Sequence, residues 1–148
     1  MTKEQRMSSE EKSAWVLLVV AIVGYATYLT LVAVEAASVS LMDTSWTTWM
    51  LWTIGGGIVG GIVVNIVVGM FSPKDAGKKD QRDREITRFG DAMGQSFVVI
   101  GGVAALVLAM LEAPYFWIAN VIYLAFVLSA VLGSIARVIA YRRGLPAW

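Results

Sequence analysis

Residues 71–91 read FSPKDAGKKDQRDREITRFGD and hold half of the chain's 12 Lys and Arg residues. The sequence on either side is oily. Trp46–Phe71 reads WTTWMLWTIGGGIVGGIVVNIVVGMF, and Gln95–Leu111 reads QSFVVIGGVAALVLAML. Crossing a hydrocarbon layer of about 30 Å takes about 20 helical residues. The first run is long enough alone; the second reaches that length if its helix begins earlier, near Asp80. Two further runs, Ala14–Val34 and Phe116–Tyr141, also qualify. Backbone groups in lipid must bond within their own segment, so all four runs are expected to be helices. The 148-residue chain is therefore read as one all-α, four-helix transmembrane domain, with residues 72–94 as its charged connection.

Composition points the same way. The chain is 57% hydrophobic and 16% charged, with a mean hydropathy of +0.67. Soluble domains average roughly 45–50% apolar and about 25% charged residues. With neither Cys nor His, disulfides, thiolate chemistry, imidazole bases and most transition-metal sites are excluded. No catalytic residue, cofactor or metal is expected. An enzyme would have to use Asp, Glu, Tyr or Lys at an interface, and no constellation of these stands out. No motif for direct nucleic-acid contact is present either.

Residues 1–13 mix Lys3, Arg6 and Lys12 with Glu4, Glu10 and Glu11. The apolar run that follows exceeds a secretory signal core of about 7–15 residues and ends in no Ala-x-Ala site, so a retained helix is expected. Ser8 with Glu11 fits a capping box at its start.

The distribution of charge orients the bundle. Lys74, Lys78, Lys79, Arg82, Arg84 and Arg88 lie in the 72–94 connection, while 35–45 and 112–115 hold no base. Arg137, Arg142 and Arg143 close the chain. The positive-inside rule places this connection and both termini in the cytoplasm. The opposite face keeps only the acids Glu35, Asp43 and Glu112. Trp46, Trp49 and Trp52 fall at the outer boundary with Tyr115, Phe116 and Trp117, while Trp15, Phe71, Phe89 and Tyr141 fall at the inner one, as an aromatic belt requires. A bacterial cytoplasmic membrane is the expected location.

Internal duplication is hinted at. Gly24, Leu29, Glu35 and Ala36 recur as Gly101, Leu106, Glu112 and Ala113. Gly57, Gly60, Gly61 and Ile62 correspond to Ala130, Gly133, Ser134 and Ile135. Two hairpins of one orientation would form a parallel repeat.

Gly56/Gly60 and Gly57/Gly61 are overlapping GxxxG pairs, whose bare backbone admits a close helix. With Gly101 and Gly133 they are expected to pack helices, either within the bundle or between copies in a homo-oligomer. Glu35 and Glu112 are read as hydrated helix ends or as a paired outer polar site for a cation or a polar ligand. Tyr25, Tyr28, Asn120 and Tyr123 could line a polar cavity; interhelical hydrogen bonding is the simpler account. From Asp80 the connection itself looks helical, with Ile86, Phe89 and Met93 on one face and Arg82–Glu85 and Glu85–Arg88 as i,i+3 pairs. Lys78, Lys79, Arg82, Arg84 and Arg88 would meet anionic headgroups or a cytoplasmic or membrane partner protein.

The run Asp83-Arg84-Glu85-Ile86 leading into the third helix, and the ending Ala140-Tyr141-Arg142-Arg143-Gly144, resemble small four-helix bacterial and archaeal membrane proteins of unknown function. That group carries an Asp-Glu-Arg-x-x-x-Ile-like pattern and is often encoded beside a helix-turn-helix regulator; the residue order here departs from the pattern. The resemblance implies the topology and no activity. The expected function is a non-catalytic accessory, sensory or scaffold role. The alternative is a small oligomeric transporter or channel for a small cation or amphipathic compound, which a buried mid-membrane carboxylate would have favoured. The sequence places none there.

Overall fold

A computed structural model describes residues 9–70 and 81–144. Four helices account for most of them: α1 (Ser9–Ala36), α2 (Trp46–Met70), α3 (Gln81–Met110) and α4 (Tyr115–Arg143), with a 3-10 turn at Leu41–Asp43 between α1 and α2. All four are long and apolar enough to cross a membrane, and no strand occurs among the described residues. Ser8, half of the expected capping box, lies outside them, as do Lys78 and Lys79.

The helices run longer than the hydropathy of the sequence indicates. The third is continuous from Gln81, so residues 81–94 are helix rather than loop. A helix starting near Asp80 is what the spacing of Ile86, Phe89 and Met93 leads one to expect; residues 72–80 of the connection lie outside the described residues. At about 1.5 Å per residue the 30 residues of α3 span about 45 Å, so its charged N-terminal turns exceed what hydrocarbon alone requires.

Packing is uneven. The closest pair is α3 with α4, followed by α1 with α2 and α1 with α4. On α3 the buried residues are Ile86, Gly90, Gly94, Gly101 and Ala105, a stripe of mostly small side chains. They meet Ala125 and Gly133 of α4, which are also buried. A β-carbon built on Gly133 would lie 2.9 Å from the Gly90 carbonyl oxygen, and one on Gly94 would lie 2.8 Å from that of Ser129. The two backbones therefore touch, which supplies the dispersion contact that hydrophobic exclusion cannot supply between helices in lipid.

The turn joining α3 to α4 closes as a Schellman motif. The Ala113 amide donates to Leu108 O at 3.0 Å and the Glu112 amide to Ala109 O at 3.1 Å. Glu112 holds the left-handed position, φ 56°, usually given to Gly.

In contrast, α2 has no buried residue. It leans on α1, where Gly24 faces the Thr53 carbonyl and Gly57 faces Val20. Large apolar side chains cover its outside, including Trp52 at 72% exposure. A membrane solvates such a surface; water does not.

Candidate functional site

Side chains with hydrogen-bonding capacity gather in two places. The first joins α1, α2 and α4 near the end of the bundle that carries Trp46, Trp49 and Phe116. Tyr28 is buried and its hydroxyl donates to Asn120 Oδ1 at 2.5 Å. Asn120 Nδ2 in turn donates to Phe116 O at 2.7 Å, one helical turn back. The Tyr123 hydroxyl shares a 2.8 Å bond with Thr53 Oγ1, which itself bonds Met50 O at 3.2 Å. Tyr123 stands edge-on to Tyr25 with centroids 5.2 Å apart and lies 5.0 Å from Tyr28.

The four residues expected around a polar cavity are thus brought together: the three tyrosine rings pack against one another, and Tyr28 bonds Asn120 while Tyr123 bonds Thr53. Thr53 joins them although its sequence context, amid Trp and Gly, gave no sign of it. Beside them a cleft of about 320 Å³ runs between α1 and α2, lined by Gly24, Tyr25, Thr53, Gly57, Gly61, Asn65 and Tyr123 among others.

At the same end Glu35 fastens α1 to α2. Its Oε2 accepts from Trp49 Nε1 at 2.8 Å and its Oε1 from Ser45 Oγ at 3.0 Å. Glu112 is exposed in the α3–α4 turn and has no side-chain partner among the described residues. The two carboxylates proposed as an outer pair therefore serve different hairpins: one ties two helices and the other occupies a turn.

The second gathering lies at the opposite end, where α1 and α3 begin and α4 finishes. Arg142 Nε pairs with the buried Glu11 carboxylate at 2.7 Å. Tyr141 donates its hydroxyl to Asp83 Oδ1 at 2.7 Å. Arg82 Nη2 donates to Tyr141 O at 3.1 Å, and its guanidinium lies 6.0 Å from the Tyr141 ring. Deeper in, Arg137 pairs with Asp91. The expected Arg82–Glu85 pair is replaced: Arg82 turns to α4, and Glu85 accepts from Gln81 at 3.2 Å. Arg84 and Arg88, one turn apart on α3, are exposed and without a side-chain partner among the described residues.

The glycines singled out from the sequence divide into two groups. Gly101 abuts Ala125 and Gly133 abuts Gly90. Gly56, Gly60 and Gly61 have no neighbouring atom within 4 Å of a built β-carbon, and Gly57 has only Val20, at 3.7 Å. The sequence reading missed Gly90 and Gly94. They form a GxxxG pair too, but Arg88, Asp91 and Gln95 around them mask it as a polar surface helix.

No protein-family model matches the chain, and it has no significant match among curated proteins or solved structures.

Proposed function

We propose that this chain is a non-catalytic membrane scaffold that works by docking: α2 offers a lateral face to another helix, and the start of α3 offers a basic face to headgroups or a cytoplasmic partner. The observation that carries this reading is the contrast between the two hairpins. Where α3 meets α4, small residues are used up in backbone contact; where α2 runs, Gly56, Gly60 and Gly61 leave space open. A GxxxG pair left open within the bundle suits a second copy of the same chain, giving a homo-oligomer. Arg84 and Arg88, exposed and without a side-chain partner among the described residues, are the α3 bases left over for an outside partner once Arg82, Arg137 and Arg142 are bound internally; Arg143 at the end of α4 is exposed as well.

In this proposal the charged end faces the cytoplasm of a bacterial inner membrane, following the positive-inside rule. The two hairpins descend from one duplicated unit whose second copy has closed tightly while the first has stayed open. The family resemblance of the charged α3 start belongs to the same proposal.

Because the chain has no cysteine, single-cysteine crosslinking tests it cleanly. Gly60→Cys in native membranes is expected to give a disulfide-linked dimer, while a lipid-facing cysteine at Val99 of α3 is not. Equal crosslinking at both sites, or none at Gly60, would remove the α2 interface. Reporter fusions at residues 40 and 78 are expected on opposite sides of the membrane; the same side for both would overturn the orientation.

A further inference from the structure

Between α3 and α4, with Leu17 of α1 at its edge, lies a cavity of about 370 Å³ whose polar lining comprises Asp91, Gln95, Ser129, Ser134 and Arg137. The Asp91 carboxylate and the Arg137 guanidinium are joined through Oδ1 and Nη2. This leaves Asp91 Oδ2 and Arg137 Nη1 without partners among the described residues. Ser134 is 1% exposed, yet its Oγ has no hydrogen-bond partner, and Arg137 Nε is likewise buried and unmatched. Gln95 has no side-chain hydrogen bond among the described residues. Buried polar groups are almost always satisfied, so the unmet Ser134 Oγ and Arg137 Nε, beside the exposed Asp91 and Gln95 side chains in a roomy cavity, signal a polar occupant.

The level of the pair in the membrane narrows the occupant. Arg137 lies twenty residues from Trp117 along α4, and Asp91 twenty from Leu111 along α3. At about 1.5 Å per residue each distance is about 30 Å, the thickness of the hydrocarbon core. Both charges therefore sit at the depth of lipid phosphates, and the Asp91 side chain, 64% exposed, opens the site outward. The site is balanced, with one acid and one base, so a ligand bearing only negative charge would meet Asp91 unfavourably.

We infer that this cavity binds the zwitterionic headgroup of an aminophospholipid. The lipid phosphate accepts from Arg137, whose planar donors match it. The primary ammonium donates to Asp91, and the Gln95 amide and Ser129 hydroxyl meet the remaining oxygens. The inference rests on the membrane-spanning architecture and is independent of whether α2 self-associates.

The full-length chain, reconstituted in vesicles of equal phosphatidylethanolamine, phosphatidylcholine and phosphatidylglycerol, would be released for native mass spectrometry of retained lipid. Phosphatidylethanolamine is expected to exceed the other two by about tenfold, the worth of one charge-assisted hydrogen bond. Phosphatidylcholine has the charge but no N–H donor. Asp91→Asn is expected to abolish that preference. Gln95→Leu, which keeps the α3–α4 ion pair and hence the fold, removes a contact to a phosphate oxygen that all three lipids share and is expected to reduce total lipid retention about fivefold while leaving the preference in place. Equal retention of all three lipids, preference for phosphatidylglycerol, a preference untouched by Asp91→Asn, or total retention unchanged by Gln95→Leu would overturn the inference. Displacement of the lipid by millimolar free phosphoethanolamine would also overturn it, by assigning the site to a soluble ligand.

Discussion

Adding one methyl group to Gly133 and one to Gly60 should change stability in opposite directions. An Ala in a helix interior is favoured over Gly by about 1 kcal/mol, because it restricts the unfolded backbone. At Gly60 nothing lies within 4 Å of the new methyl, so Gly60→Ala should realise up to about 1 kcal/mol of that gain. At Gly133 the methyl would lie 2.9 Å from Gly90 O and 3.8 Å from Gly94 Cα. Both are backbone atoms, and no rotamer change moves them away. The helices must part by several tenths of an ångström, loosening the contacts at Gly94 and Gly101 as well. Overpacking of this kind costs about 1–3 kcal/mol, which outweighs the propensity gain and leaves Gly133→Ala destabilised by about 1 kcal/mol or more. Thermal unfolding of the detergent-solubilised monomer, followed by tryptophan fluorescence, measures both. For a chain of this length, 1 kcal/mol corresponds to roughly 2–4 °C in Tm. Shifts of the same sign for the two variants would refute the assignment of one glycine to a closed contact and the other to open space.

Three other substitutions probe single features. Tyr28→Phe removes the donor to Asn120 and should cost about 1 kcal/mol; a double-mutant cycle with Asn120→Leu should recover most of it as coupling. Glu112→Gly relieves a left-handed side chain and should raise stability by about 1 kcal/mol, read as a higher Tm. Glu35→Leu leaves the Trp49 indole N–H and the Ser45 hydroxyl without their acceptor; faster hydrogen exchange over residues 38–45, with unchanged exchange at the α3–α4 turn, is the expected outcome.

Much of the architecture could be read from hydropathy, because lipid imposes a length and a polarity that few sequences meet by chance. The four spans emerged in this way, and so did the early start of α3, from the spacing of Ile86, Phe89 and Met93. Helix pairing was less accessible. Any of the glycines could have served as a contact, and choosing among them needs the partner helix: Gly133 meets a bare turn at Gly90, while Gly60 meets nothing. Charge pairing was misjudged for a similar reason. Within one helix Arg82 and Glu85 are neighbours, but α4 brings a carbonyl and an aromatic ring to Arg82, and that tertiary contact outcompetes a solvated pair. The Asp91–Arg137 link joins residues 46 positions apart, beyond any local pattern. The tyrosine cluster lay between these cases: its members could be named as polar residues in apolar spans, but their mutual bonding depends on how α1 and α4 cross.

Helix α1 alone makes substantial contact with both neighbours, α2 on one flank and α4 on the other. It is therefore the main joint between α2 and the rest of the molecule, with the Thr53–Tyr123 bond and the Trp46–Phe116 contact as the direct links from α2 to α4. A tug on α2 from outside would travel through Glu35 and Trp49 at one extremity, cross the tyrosine stack, and reach Arg142 through Glu11 at the other. The two ends of α1 are thus each pinned to a different helix, α2 through Glu35 and α4 through Glu11.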